Sequence, residues 1–195
     1  MVLTPLLWTI GHSNHEPDRF AELLLDNRID FLVDVRSYPY SRYAPHFNRE
    51  ELKATIRACG VSYLFLGEAL GGRPGDDRHY DAEGHALYGP MASEPEFERA
   101  IARVLRGAQA HRLALMCSCG QPRDCHRRLL VGKVLCDHGA ELRHILPDGQ
   151  LQSERRVDLN AADGQQHLLF GEDVQPWRSA QSVSNKRRLS TSSPG

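Results

Sequence analysis

The chain has 195 residues and a formal net charge of −1, with 24 lysine and arginine residues against 25 aspartate and glutamate residues. This length suits one well-buried core rather than two full domains, and the balanced charge gives no overall reason to expect a nucleic-acid carrier or a membrane-surface protein. Because no basic leader and no apolar run of roughly 20 residues is present, we expect a cytoplasmic protein with no signal peptide and no membrane partner.

Short apolar runs alternate with amphipathic stretches along most of the chain. This alternation predicts an α/β fold of three layers, with a mostly parallel sheet of about five strands and helices on both faces, Rossmann-like or flavodoxin-like. The predicted strands run from Leu7 to Ile10, Phe31 to Val35, Tyr63 to Leu66, Leu113 to Met116 and Leu142 to Leu146.

Four helices are predicted from their start and stop signals. Proline in a first turn, asparagine or aspartate at an N-cap and glycine after the last turn mark their ends. The helices are predicted after Pro17, after Asn48, from Glu94 to Gly107, and from a cap at Asp124 to Gly139.

The domain organisation follows from where apolar residues become sparse. We predict an α/β core domain over residues 1–150, a C-terminal extension packed on the core over 151–177, and a disordered tail over 178–195. The connection over residues 67–93 is rich in Gly, Asp and His and far exceeds the usual length of about two to six residues. It is either a lid or binding loop, or a floppy surface insertion.

Polar residues suited to chemistry follow four of the predicted strands. They are Gly11-His12-Ser13, Asp34 to Arg42, Gly67 to Gly72 and the cysteine segment Cys117 to Arg127. Because parallel strands end at one edge, where α/β proteins place their ligand sites, we expect these loops to form one site. Its predicted ligand-binding residues are Ser13, Asp34, Arg36, Ser41, Arg42 and Arg127.

The cysteine segment is interpreted first as a reactive-thiol site. Five cysteines form an odd set in a chain of this size, which favours reduced thiols. The predicted catalytic residues are Cys117 or Cys125 as the reactive group and His12 or His126 as the proton carrier. Five residues separate Cys117 from Arg123, the spacing of phosphatase and rhodanese loops.

Two other interpretations of the cysteine segment stay open. Thiolates and imidazole together suit zinc or another soft divalent ion. The ligands of such a site would be Cys117, Cys119, Cys125 and His126. Alternatively, the cysteines are packing residues, as free cysteine is often buried. Packing is the interpretation that we favour for Cys59 and Cys136.

Several short motifs together resemble the domain of unknown function 488 family. They are Gly11-His12-Ser13, Asp34-Val-Arg36, Ser41-Arg42, Leu70-Gly71-Gly72, and Cys117 followed by Cys125-His126-Arg127, in this order. The resemblance covers about residues 7–147 and implies a compact α/β fold and a bacterial or archaeal cytoplasmic protein, without a general activity. Many members have glutamate where this chain has Cys119, so no acid/base role is assigned to that position.

The leading hypothesis is an enzyme, either a hydrolase or a transferase, that acts on a small anionic or nucleotide-like ligand. Arg36, Arg42 and Arg127 would bind the anion. A second hypothesis is a metal-binding or redox-sensing protein that uses the same cysteines. A third is nucleic-acid binding through the arginine-rich loops and the basic Lys186-Arg-Arg tail. The sequence identifies no cofactor.

Overall fold

A computed structural model describes residues 4–157 and 176–184. Within them, six strands form one sheet in the order β3-β2-β4-β1-β5-β6. The strands are β1 Leu6–Gly11, β2 Phe31–Asp34, β3 Ser62–Phe65, β4 Leu113–Cys117, β5 Glu141–Ile145 and β6 Leu151–Ser153. All neighbouring pairs are parallel except β5 and β6, so the predicted mostly parallel sheet is confirmed, with a short antiparallel strand added at one side.

The helices occupy the connections between the strands. They are α1 Pro17–Asp26, α2 Arg49–Ala58, α3 Gly67–Leu70, α4 Tyr88–Ala92, α5 Pro95–Ala108 and α6 Lys133–Asp137. Short 3₁₀ turns lie at Pro45–Phe47 and Asp77–His79, and a π-helix, Arg127–Gly132, continues directly into α6. Proline in the first turn of α1 and of α5 fits the helix start, because its missing N–H has no partner there.

Two hydrophobic clusters cover the two faces of the sheet. Successive strand residues point to opposite faces, so Leu7 belongs to one cluster and Trp8 to the other. Helices α1 and α2 pack on the Trp8 face, whereas the buried residues of α4 and α5 pack on the Leu7 face. The predicted three-layer α/β architecture is confirmed. Its strand order differs from the 3-2-1-4-5-6 and 2-1-3-4-5 orders of common doubly wound sheets.

The helix predicted from Asp124 begins later and is of another kind. The helical segment starts at Arg127 as a π-helix, and the side chain of the residue before it caps nothing. A turn precedes it, in which Cys125 N donates to Pro122 O at 3.1 Å. Asn48 does stand directly before α2, but its Oδ1 accepts from Ser41 N at 2.7 Å rather than from the helix.

The long connection over residues 67–93 contains α3, a 3₁₀ turn and α4, and it packs on the core. Leu70, Ala86 and Tyr88 within it are each at most 1% exposed. Residues 176–184 lie against this connection, where Arg178 forms an antiparallel bridge with Leu87. Predictions for residues 158–175 and 185–195, including the basic Lys186-Arg-Arg tail, lie outside the described residues. In the described part of the chain, no helix has the length and apolar character needed to cross a membrane.

Candidate active site at the carboxyl edge of the sheet

A cavity of about 440 Å³ opens at the carboxyl edge of the sheet. Its walls come from the loops after β1, β2 and β4, from the residues after α3, from Tyr88 of α4, and from the chain near residue 180. The lining side chains and glycine are those of His12, Arg36, Ser37, Tyr38, Tyr40, Ser41, Gly72, Arg73, Tyr88, Cys117, Ser118, Cys119, Asp124, Cys125, His126, Ser179, Ala180, Gln181 and Val183. The cavity therefore brings together residues that are far apart in the sequence.

Cys117 lies at the centre of the sheet because β4 lies between β1 and β2. It ends β4 opposite Gly11 of β1, and its carbonyl accepts a hydrogen bond from His12 N at 2.9 Å. On the other side, Val35 N donates to Met116 O at 3.0 Å. Parallel pairing thus places the residues after β1 and β2 directly beside the start of the cysteine segment.

The Cys117 thiol faces the His126 imidazole. Sγ of Cys117 lies 3.6 Å from Nδ1 of His126, while Nε2 of His126 lies 2.8 Å from the carbonyl oxygen of Val35. A carbonyl oxygen only accepts, so Nε2 is protonated and donates a hydrogen bond to Val35 O. Nδ1 therefore either accepts from the Cys117 thiol or, when protonated, donates to its thiolate.

The surroundings of Cys117 favour the thiolate. Hydrogen bonds from the thiols of Cys119 and Cys125 hold the pKa of Cys117 well below its ordinary value, against the opposing effect of burial. The nearby His126 imidazolium acts in the same direction. Burial disfavours charge on His126, but the Cys117 thiolate outweighs it and raises the pKa of the imidazole. The pair therefore favours a thiolate and an imidazolium in contact.

Cys125 and Cys119 differ in exposure although both thiols lie beside Cys117. Cys125 is 1% exposed and its pKa is raised, chiefly by burial. Cys119 is exposed, and its pKa is raised chiefly because its thiol donates to Cys117. The ligand atoms of Cys117, Cys125 and His126 all lie within 4.8 Å of one another, as the ligands of a small metal ion would.

His12 is buried beside the thiol as a neutral imidazole. Its ring stacks on Phe47 with a centroid separation of 4.4 Å, and Nδ1 donates to Ser13 O at 2.9 Å. Burial, followed by the positive charge of Arg36, lowers the pKa of His12 to about 4. Near neutral pH its Nε2 is therefore unprotonated and can accept a proton or bind a metal.

Arg36 and Asp34 form a buried ion pair at the end of β2. Nε of Arg36 donates to Oδ1 of Asp34 at 2.9 Å and Nη2 donates to Oδ2 at 2.7 Å. Tyr63 Oη also donates to Oδ2, at 2.7 Å. Only Arg36 of this group lines the cavity. Asp34 does not contact the cavity, but its hydrogen bonds fix the orientation of the Arg36 guanidinium.

Arg127 takes a different position from the one that the sequence predicts. It is fully buried, and its guanidinium donates to the carbonyls of Cys119 and Gly120 and to Oγ1 of Thr9. It is not part of the cavity lining. Its donors are occupied by the backbone of the cysteine segment, so it anchors that segment rather than facing a ligand.

Two glycines of the sequence motifs allow close approach at the site. A β-carbon at Gly11 would overlap the carbonyl oxygen of Cys119, and one at Gly72 would overlap the ring of His126. Neither glycine has a positive φ, so steric room rather than backbone conformation accounts for both. The glycines thus let the cysteine segment and the His126 ring sit against the neighbouring loops.

The predicted site residues divide into three groups. Six of them line the cavity: His12, Arg36, Ser41, Cys117, Cys125 and His126. Asp34 and Arg127 are buried supports. Ser13 and Arg42 lie outside the lining, although Ser13 N holds the cysteine segment through a 3.1 Å bond to Ser118 O. Arg123 is exposed and also outside, so the phosphatase-like spacing does not produce an arginine in the cavity.

Several residues that line the cavity were not predicted from the sequence. Arg73 stands directly after the Gly71-Gly72 motif, and that position was an available signal. Tyr88 and the residues near 180 carried no local signal, because only long-range packing brings them to the cavity.

The comparisons with known proteins identify a family without an assigned activity. The profile of the family described as "Domain of unknown function DUF488" matches residues 16–134, more than half of the chain. Searches of curated proteins and of solved structures found no match. The matched region includes the ends of β2 and β4 and the whole cysteine segment, in agreement with the resemblance seen in the sequence. The chain belongs to the domain of unknown function 488 family.

Proposed function

We propose that the protein is a thiol-dependent enzyme, a hydrolase or a transferase, in which Cys117 attacks a small ligand that carries an anionic group. The observation that supports this most is the 3.6 Å approach of Cys117 Sγ to His126 Nδ1 in the wall of a 440 Å³ cavity. A thiol and an imidazole in contact, with the imidazole oriented by a third group, form the usual arrangement of an activated cysteine. The Val35 carbonyl is that third group.

The proposed reaction has two half-reactions. In the first, Cys117 Sγ donates its electron pair to an electrophilic atom of the ligand, and the bond to the leaving group breaks as His126 gives that group a proton. In the second, Nε2 of His12 takes a proton from an incoming hydroxyl or water, whose oxygen attacks the same atom and displaces the thiolate. Water as the incoming group gives a hydrolase, and another acceptor gives a transferase. Solvent then carries the proton from His12 to His126.

The anionic group of the ligand would contact two arginines. Arg73 is exposed and lines the cavity, and it has no carboxylate partner among the described residues. Arg36 binds Asp34 through Nε and Nη2, so both N–H groups of its Nη1 can donate to a ligand. Two guanidinium donors from separate loops suit a phosphate or a carboxylate. Tyr38 and Tyr40, which are 60% and 64% exposed, offer ring faces to the rest of the ligand.

Metal binding is a second candidate, and it has one specific observation in its favour. The three ligand atoms of Cys117, Cys125 and His126 lie within 4.8 Å of one another, and the second ring nitrogen of His126 donates to a carbonyl. A histidine that binds a metal is commonly held in this way. Exposed Cys119, or a ligand from solution, would supply a fourth position. Zinc fits two thiolates and an imidazole best.

One experiment separates the two candidates. Protein purified without an immobilised-metal column is analysed for metal content, and alkylation of each cysteine by iodoacetamide at pH 7 is followed by mass spectrometry. The enzyme proposal expects no stoichiometric metal and alkylation of Cys117 at least about tenfold faster than that of Cys59 or Cys136. Inorganic phosphate should slow the reaction of Cys117 alone, because an anion bound at the arginines covers the thiol.

Matched variants show whether the result comes from the Cys117–His126 pair or from a bound metal. His126→Gln should slow alkylation of Cys117, whereas Cys136→Ala should leave it unchanged, since Cys136 lies outside the cavity. A stoichiometric metal that is lost in Cys117→Ala and Cys125→Ala, but kept in Cys136→Ala, would establish the metal candidate and overturn the metal-free nucleophile. Alkylation of Cys117 no faster than that of Cys136, in metal-free protein, would reject the enzyme proposal.

A further inference from the structure

Part of the cavity wall comes from a segment that belongs to neither the sheet nor the family match. We name residues 176–184 the C-terminal strap. Four of its residues, Ser179, Ala180, Gln181 and Val183, line the cavity together with residues of the loops that follow the strands. The family match ends at residue 134, so this wall lies outside the matched region.

Backbone hydrogen bonds attach the strap to the connection between β3 and α5. Ser179 N donates to Ala86 O at 2.9 Å, and Ala86 N donates to Oγ of Ser179 at 3.0 Å. Tyr88 N donates to Trp177 O at 2.9 Å, and Val183 N donates to Gly84 O at 2.9 Å. This pattern resembles the addition of an antiparallel strand, and it fixes the position of the strap along residues 84–88.

Side chains at the start of the strap hold it on the core. The indole N–H of Trp177 donates to Leu129 O at 2.7 Å, in the helical segment that follows the cysteines. Arg178 forms an ion pair with Asp81 of the long connection. Ser179 is only 5% exposed, as expected for a residue enclosed by these contacts. The strap is therefore bound both to the long connection and to the π-helix that directly follows His126.

We propose that the C-terminal strap determines which ligands reach Cys117, by closing one side of the cavity and limiting the size of the ligand. The strap presents only uncharged side chains to the cavity, while the cationic groups Arg36 and Arg73 lie on other loops. It therefore faces the uncharged part of a ligand whose anionic end lies at the arginines. The chemical class of the ligand rests on the proposed function, whereas control of access concerns the thiol itself.

The test compares two thiol reagents of different size on the full chain. Iodoacetamide is small, and fluorescein maleimide is bulky. Both form a bond to the Cys117 sulfur, with loss of iodide in one case and addition across the maleimide double bond in the other. The readout is the ratio of the two rates at Cys117, resolved from Cys119 by fragment-ion mass spectrometry, with Cys59 as the internal reference.

Two variants should move this ratio in opposite directions. Ser179→Pro removes both bonds to Ala86, so the strap should open more often and the bulky reagent should gain about tenfold relative to the small one. Ala180→Trp adds volume to the cavity wall, so the bulky reagent should lose about tenfold relative to the small one. Ser182→Ala is the matched control, because Ser182 donates to Gly84 outside the cavity lining.

The outcomes separate this inference from the proposed function. An unchanged ratio in both Ser179→Pro and Ala180→Trp, while iodoacetamide still reacts rapidly at Cys117, would overturn the role of the strap and leave the thiol proposal intact. If iodoacetamide shows no preference for Cys117 in the wild type or in any of the variants, the thiol proposal is rejected. If Ser179→Pro does not fold, as judged by circular dichroism, the Ala180→Trp ratio decides the question alone.

Discussion

The ends of β2 and β4 each bury an arginine at the same edge of the sheet, but they compensate its charge differently. At β2, the guanidinium of Arg36 meets the carboxylate of Asp34 through two close contacts, so the charge is balanced within the pair. After β4, Arg127 donates only to two carbonyls and one hydroxyl, and within the described residues no carboxylate accepts from it. The cysteine segment that Arg127 holds also contains Cys117, whose surroundings favour the negatively charged thiolate.

This difference indicates separate tasks for the two arginines. The β2 pair is a buried unit with no net charge, and its guanidinium lines the cavity. Arg127 holds the cysteine segment in place through its hydrogen bonds. Its buried positive charge also lowers the pKa of Cys125, although the opposing effect of burial is larger. A buried charge that is bonded only to neutral acceptors favours an anionic partner nearby. Three substitutions test this comparison.

Breaking the β2 pair should have the largest effect. Asp34→Ala leaves Arg36 and Tyr63 without their common acceptor, and the loss of one partner from a buried pair costs about 3–5 kcal/mol of unfolding free energy. Urea denaturation measures this loss of unfolding free energy. Glu22→Ala is the control, since the Arg19–Glu22 pair is exposed and its loss should cost less than about 1 kcal/mol. Equal costs for the two variants would show that the buried Arg36–Asp34 pair contributes no more to stability than an exposed ion pair.

Arg127→Met should have the next largest effect. It removes the fully buried guanidinium that donates to the carbonyls of Cys119 and Gly120, which we expect to cost about 3 kcal/mol in the same denaturation measurement. Arg123→Met, at an exposed position of the same segment, should change stability by less than about 0.5 kcal/mol. If Arg127→Met proved as stable as the wild type, the guanidinium would not be the anchor of the cysteine segment.

The smallest expected effect concerns His12, which follows β1 on the other side of β4 from β2. Its folded-state pKa of about 4 is below the ordinary value of 6.5, so the folded state binds the proton less readily than the unfolded chain. The contribution of neutral His12 to the free energy of unfolding is therefore fully present above pH 6.5 and is lost as the pH falls toward 4. Between pH 7 and pH 5 the loss should be about 2 kcal/mol.

The measurement for His12 is the difference in unfolding free energy between pH 7 and pH 5. His12→Gln should reduce that difference by the amount assigned to His12, whatever its effect at pH 7. His138→Gln, at an exposed histidine, should reduce it little. An identical pH dependence in wild type and His12→Gln would show that His12 is not held neutral.

Local sequence patterns were sufficient to predict most of the fold. Alternating apolar runs located five strands, proline at a helix start located α1, and the predicted helix from Glu94 to Gly107 corresponds to α5. They did not predict the π-helix Arg127–Gly132, whose first residue donates to the carbonyls of Cys119 and Gly120, contacts that no local propensity encodes. Nor did they predict β6, a three-residue strand that exists only by pairing with β5.

The candidate site was predictable where it depends on strand ends and unpredictable where it depends on packing. The sequence by itself determined that His12, Arg36 and Cys117 follow neighbouring parts of a parallel sheet, because strand periodicity and loop composition are local properties. Only the tertiary structure decided that Arg127 faces the backbone, that His126 contacts Cys117, and that residues of the C-terminal strap line the cavity. Those outcomes depend on which buried polar groups form hydrogen bonds with one another when water is excluded. These contacts join residues in different segments of the fold, so local patterns do not predict them.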